Sequence, residues 1–222
     1  LAYAAVFGVG LMAGGVASAD TWTDPAGRFK VDIPHGWHIN APQENGFSYM
    51  EAGNADRECQ FKATPNPATA QGSPDRVRRS VQDDSQYTQQ VWLAVANSFN
   101  TIFAQNSAAF VSRSQDNSGF WPLQRADLTS PHGAGNPPLP ISTVHAALQA
   151  RPGIELVGMC YTISDPDYPT PDNPALFDPI LRSMGTTNDA ALQATAEAAA
   201  AAAAAPPPAP PPTTPPQPPG HH

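Results

Sequence analysis

The chain has 222 residues, with 11 Lys and Arg against 19 Asp and Glu, a formal net charge of −8, and 27 prolines. Charged residues make up only 14% of it, against roughly 25% in an average soluble protein, and an acidic chain this poor in Lys and Arg has no obvious footprint for nucleic acid or anionic lipid, whose binding rests on clustered positive charge. Two cysteines are too few for a four-cysteine zinc module or a disulfide-dense mini-domain.

Residues 1–19 carry no charge and end on Ala17-Ser18-Ala19 before Asp20. That is the small-x-small pattern of a secretory cleavage site, whose peptidase pocket admits only small side chains. The stretch is rich in Gly and Ala and slightly short for a membrane anchor, which needs about 20 apolar residues. It reads as a signal peptide lacking its first residues, and no second apolar run follows. The mature protein is therefore expected in the periplasm or secreted, without stable membrane insertion.

In residues 28–33, Phe29, Val31 and Ile33 alternate with charges, which predicts a half-buried strand after the turn Asp24-Pro25-Ala26-Gly27. Residues 37–40, 47–51 and 57–63 read as three further short strands. Ser73-Pro74-Asp75 opens a polar helix through Arg79 and Val81. From Thr88 onward, Trp92, Val95, Phe99, Ile102 and Phe103 recur at helical spacing, an apolar stripe suited to core packing. Residues 109–113 and 120–128 form a hairpin around 115–119, and 143–150 and 154–163 form another around Arg151-Pro152-Gly153.

The last of these strands is apolar on both faces. Ile154, Leu156 and Cys160 lie on one side, with Val157, Met159, Tyr161 and Ile163 on the other, so it belongs at the centre with a layer above and below. A helix follows, with Asp178 as N-cap, Pro179 at its first position and Gly185 ending it. Short turns between successive strands imply antiparallel pairing. The expected fold class is α+β, an antiparallel sheet sandwiched by helices.

All 11 basic residues and 17 of the 19 acidic ones lie in this body, residues 20–186, which carries −6. Residues 187–205 are an alanine-rich helical linker, since alanine is the best helix former. Asn188 or Asp189 caps it and Pro206 stops it. In the tail, 206–222, ten of the fourteen residues from 206 to 219 are proline, a composition that favours a disordered, extended polyproline II chain. Such a tail is a spacer, a ligand for a partner domain that reads prolines, or a segment without a role. His221 and His222, on a flexible end, make a poor metal site.

Trp22-Thr23-Asp24 through Gly27-Arg28-Phe29, then Ile33-Pro34 and Gly36-Trp37, resemble the opening of the PsbP-like (PsbP/DcrB-type) domain family. Phe177 to Met184 is similar to that family's closing helix. The resemblance covers the body. It implies an antiparallel sheet between helices, and a non-enzymatic exported factor that assembles or stabilises membrane complexes. No lipobox cysteine precedes Asp20, so lipid anchoring does not carry over.

Three constellations invite chemistry. Cys59 and Cys160, each in a strand, are expected as a disulfide in an exported protein; the alternative is two buried thiols acting as small apolar groups. His35 and His38, with Glu44 downstream, suit a divalent metal ion, a use that some relatives of the family share. Against this, the corner Pro34-His35-Gly36-Trp37 has a structural reason of its own in Trp37 as a buried plug. Asp127, Ser130, His132 and His145 suggest a hydrolase, yet a nucleophilic serine needs an oriented base and an oxyanion site, and no Gly-x-Ser-x-Gly elbow is present. No catalytic residue is assigned.

Arg76, Arg78 and Arg79 read as a solvated helix face, and residues 164–173 as an ordinary loop. The leading expectation is a non-enzymatic binding or assembly factor for a protein partner in the cell envelope, without a cofactor. The alternatives are a divalent-metal-binding periplasmic protein and a hydrolase.

Overall fold

A computed structural model describes residues 18–41, 43–44, 47–130, 140–164, 167 and 169–205. The apolar stretch before Ser18, the loop 131–139 with His132, and the proline-rich tail lie outside the described residues.

Strands β1 (Ala19–Thr23) and β2 (Lys30–Pro34) pair as an antiparallel ribbon. Eight more strands form one antiparallel sheet: β3 (His38–Asn40), β4 (Gln43–Glu44), β5 (Phe47–Gly53), β6 (Arg57–Asn66), β7 (Ala109–Asp116), β8 (Leu123–Thr129), β9 (Ile141–Arg151) and β10 (Gly153–Ile163). Their spatial order is β3-β5-β6-β10-β9-β8-β7, with β4 also on β5. The helices are α1 (Pro74–Gln82), α2 (Gln89–Asn97), α3 (Pro174–Ser183) and α4 (Asp189–Ala204). None of the described helices is long and apolar enough to cross a membrane.

Side chains alternate across a strand, so the central strand β10 serves two cores. Leu156 and Cys160 pack with Phe29, Val31, Phe61, Phe177 and Leu181, beneath β2 and α3. Val157, Met159 and Tyr161 pack on the opposite face with Trp92, Phe99, Ile102 and Phe103. The α+β sandwich expected from the sequence is therefore the architecture observed. Gly158 lets α3 lie close on the sheet: a Cβ there would stand 2.8 Å from Met184 Sδ and 2.9 Å from both Leu181 Cδ2 and Phe61 Cδ1. Glycine in a strand interior marks such a close approach.

The family-like opening motif has a local physical explanation. Gly27, at φ +69°, closes a turn in which its N–H meets the Asp24 carbonyl at 2.7 Å. The buried Asp24 carboxylate accepts from Arg28 Nε at 3.0 Å. Phe29 then enters the core. Trp37 is half-buried against that core rather than a fully buried plug.

Several boundaries differ from expectation. Helix α2 stops at Asn97, and Phe99, Ile102 and Phe103 enter the core from successive turns instead. Ser98 Oγ donates to the Val95 carbonyl at 2.7 Å, competing with helix continuation. Strand β8 starts at Leu123 because Pro122 has no N–H for the ladder. Helix α3 starts one turn earlier than expected: Asn173 is its N-cap and Pro174 its first residue, while Pro179 lies in its interior. Asp178 is thereby freed from capping and instead accepts from Arg125 on β8. Strand β1 was not anticipated; its Trp22 ring lies 5.9 Å from that of Phe29.

The division at residue 186 cuts through a buried contact. Arg151 at the end of β9 is 2% exposed, lies 4.2 Å over the Trp121 ring, and donates to both carboxylate oxygens of Asp189 at the start of α4. Ala196, farther along α4, is also buried. The first turns of the alanine-rich helix are thus packed on the body, and its last turns are exposed.

Candidate functional site

On the face of the sheet beneath α3, one row of side chains runs across five strands. The ladder sets Cys59 opposite Cys160, Cys160 opposite His145, His145 opposite Asp127, and Asp127 opposite Ser112. The inner end of the row is apolar: Cys59 and Cys160 form a disulfide and are both fully buried. The outer end is polar and reaches the edge strand β7.

At that outer end, His145 Nδ1 lies 2.9 Å from Asp127 Oδ1, and its Nε2 lies 2.9 Å from Asp172 Oδ2. Ser112 Oγ donates to the other oxygen of Asp127 at 2.8 Å. The ring is largely covered and stands 5.7 Å from that of Phe177. An imidazole held by carboxylates on both nitrogens has no nitrogen left with which to take a proton from a nucleophile.

A second row lies beside it. Ser114 faces Arg125 across β7 and β8. Arg125 Nη1 donates to Asp178 on α3, whereas its Nε and Nη2 are buried and have no hydrogen-bond partner among the described residues. Arg182 pairs with Asp116 and donates to Ser118 Oγ at 2.9 Å. Between these rows and α3 lies a groove of about 260 Å³, lined among others by Ser112, Ser114, Arg125, Asp127, His145 and Asp178. Among the residues lining it, the carboxylates of Asp127 and Asp178 outnumber the guanidinium of Arg125.

The sequence-derived sites fall as follows. The cysteine pair is the disulfide just described. His35 and His38 are both exposed, and His35 Nδ1 lies 2.8 Å from Asp20 Oδ2. The side chain of Glu44 lies outside the described residues. Among the described residues no cluster of three or more His, Cys, Asp or Glu is placed to hold a metal ion.

Of the hydrolase set, Asp127 and His145 do come together. Ser130 is buried, with its hydroxyl donating at 3.4 Å to the carbonyl of Ile102, a residue of the core on the opposite face of the sheet from His145. Arg78 and Arg79 both pair with Asp75 on α1, and the Arg78 hydrogen bond holds the Asp75 carboxyl below its usual range.

Sequence reasoning missed Ser112, Arg125, Asp172 and Asp178. Asp172 sits in the acidic stretch that reads as an ordinary loop, and its proximity to His145 has no local signal. The Asp178 side chain meets Arg125 only because α3 begins at Pro174. Away from the groove, burial pushes the Tyr87 phenol up to about 12, helped by the negative charges of Glu155 and Asp83, and burial likewise raises the Glu155 carboxyl.

The solution structure of cyanobacterial PsbP (CyanoP) from Synechocystis sp. PCC 6803 is similar at 12% identity with a TM-score of 0.47, over 78% of this chain and 95% of that one. The crystal structure of the Saccharomyces cerevisiae Ran-binding protein Mog1p is similar at 10% identity with a TM-score of 0.48, over 79% of this chain and 98% of that one. No family model and no curated protein matches the chain.

Proposed function

We propose that this chain is an exported, non-enzymatic protein of the cell envelope that binds a protein partner and assembles or stabilises it. The observation that carries this reading is the state of His145, the side chain best placed for acid–base chemistry. Asp127 and Asp172 occupy both of its nitrogens, and the nearest hydroxyl in the network, Ser112, bonds to Asp127 rather than to the ring. This arrangement ties β8, β9 and the segment before α3 together, which is a structural task.

Export is supported by the small-x-small end of the apolar stretch and by the buried disulfide, a bond that persists in oxidising compartments. The test is an activity screen of the purified oxidised protein on ester, peptide and glycoside substrates, with a covalent serine probe in parallel. The proposal expects no steady turnover and no labelling of Ser112 or Ser130; sustained turnover by the pure protein contradicts it.

A further inference from the structure

Strand β7 closes the sheet, with β8 on one side and no described strand on the other. Natural edges of this kind are blunted by short length, charged side chains (Lys above all), Pro or a β-bulge. The opposite edge obeys that rule, since β3 has three residues and β4 two. Strand β7 has eight residues and contains neither Lys nor Pro. Residues 111–114 are all exposed, and Val111 at 58% is the most exposed large apolar side chain among those described.

The one cation of β7, Arg113, is drawn away to Asp84, with Nη2 3.0 Å from Oδ2 and Nη1 2.9 Å from the Asp84 carbonyl. A bulge at Val111 breaks the ladder between Phe110 and Ser112 and leaves Ser112 to Asp116 as a regular edge.

The groove adjoins this edge. A strand added along β7 would extend the His145–Asp127–Ser112 row by one position. Its residue opposite Ser112 would lie two strand spacings, about 10 Å, from Asp127 at the backbone. A lysine or arginine side chain spans much of that gap, and the Asp127 carboxylate already reaches toward Ser112. The excess of carboxylates around the groove favours a cation there.

We propose that β7 is a docking edge for an extended segment of a partner protein, paired through main-chain hydrogen bonds and carrying a lysine or arginine opposite Ser112. The inference rests on the partner-binding reading above and gives that partner a chemistry.

The test titrates the full chain, labelled with nitrogen-15, with a capped nonapeptide of alternating valine and lysine and with its valine and glutamate twin. The lysine peptide shifts the β7 amides and slows their exchange, and it binds about tenfold more tightly than the glutamate twin. Ser112→Lys and Asp127→Asn each weaken it about tenfold. Ser112→Lys leaves the Asp127–His145 pair in place, and so keeps the melting temperature of the parent.

Equal binding of both peptides, shifts confined to another surface, or no change in β7 at millimolar peptide overturns the proposal. Slowed exchange at β7 that grows with protein concentration alone assigns the edge to a second copy, and overturns it as well. Loss of peptide binding at β7 leaves capture of a partner by another surface of the full chain still measurable, so failure here is distinguishable from failure of the partner-binding reading.

Discussion

Arg151 and Asp189 face each other across the junction between the body and the C-terminal helix, with Nε to Oδ1 at 2.9 Å and Nη2 to Oδ2 at 2.8 Å. Burial pulls the Arg151 guanidinium below its ordinary range while Asp189 opposes that shift. Removing one partner of a buried ion pair leaves an uncompensated charge, which costs more than the intact pair contributes. Asp189→Ala is expected to lower stability by about 3 kcal/mol in urea unfolding, and a chain ending at residue 186 should suffer alike. Arg151→Met removes the charge with its need for a partner and should cost less. A chain ending at Ala205 keeps every described contact and should unfold like the parent.

The disulfide between Cys59 and Cys160 closes a sequence separation of 101 residues at the centre of the sheet. Replacing both cysteines by alanine should cost about 2–4 kcal/mol. Because both sulfurs are covered, dithiothreitol should reduce the native protein far more slowly than the urea-unfolded chain. Rapid labelling of two thiols in the native state contradicts this.

Glu155 gives the fold a pH dependence of known sign. Burial raises its carboxyl above the ordinary value of 4.5. Below that value the group is neutral in both folded and unfolded chains and costs nothing. As pH rises through 4.5, the unfolded chain ionises first, and stability is lost until the raised folded value is passed. Glu155→Gln should therefore melt higher than the parent at pH 7, with the difference shrinking toward zero near pH 3. An equal difference at both pH values would contradict it.

Gly158 sets the seat of α3. Gly158→Ala forces a methyl group against Met184, Leu181 and Phe61, and overpacking of this kind costs about 1–3 kcal/mol. Adding Leu181→Ala should recover part of that loss, a non-additivity that a double-mutant cycle measures.

The layered architecture was legible because its strongest signals are local. The alternation in Lys30–Pro34 and the two apolar faces of Gly153–Ile163 are periodicities of a single strand. The resemblance to PsbP-like domains rested on turn residues such as Gly27, whose backbone needs are equally local. What was not legible depends on competition or on distance. Two Asn/Asp-Pro signals, at Asn173-Pro174 and Asp178-Pro179, compete to start α3, and the earlier one prevails by giving the helix another turn. The groove joins Ser112, Arg125, Asp127, His145, Asp172 and Asp178 from four separate segments: the register of β7, β8 and β9 aligns the first four, and the seating of α3 brings in the two aspartates. The Asp127–His145 pair was noticed, but a catalytic set and a structural clamp have the same composition, and only the second carboxylate on the ring separates them.

The most direct test of the central claim is crosslinking and capture from the exported fraction, using the full chain and a chain ending at Ala205 in parallel. The account predicts one protein held by both forms, saturably and in fixed stoichiometry, and released when Ser112→Lys replaces the parent. Retention of no protein by either form, or capture that requires the proline-rich tail and ignores Ser112→Lys, contradicts the claim that the sandwich itself is the recognition element.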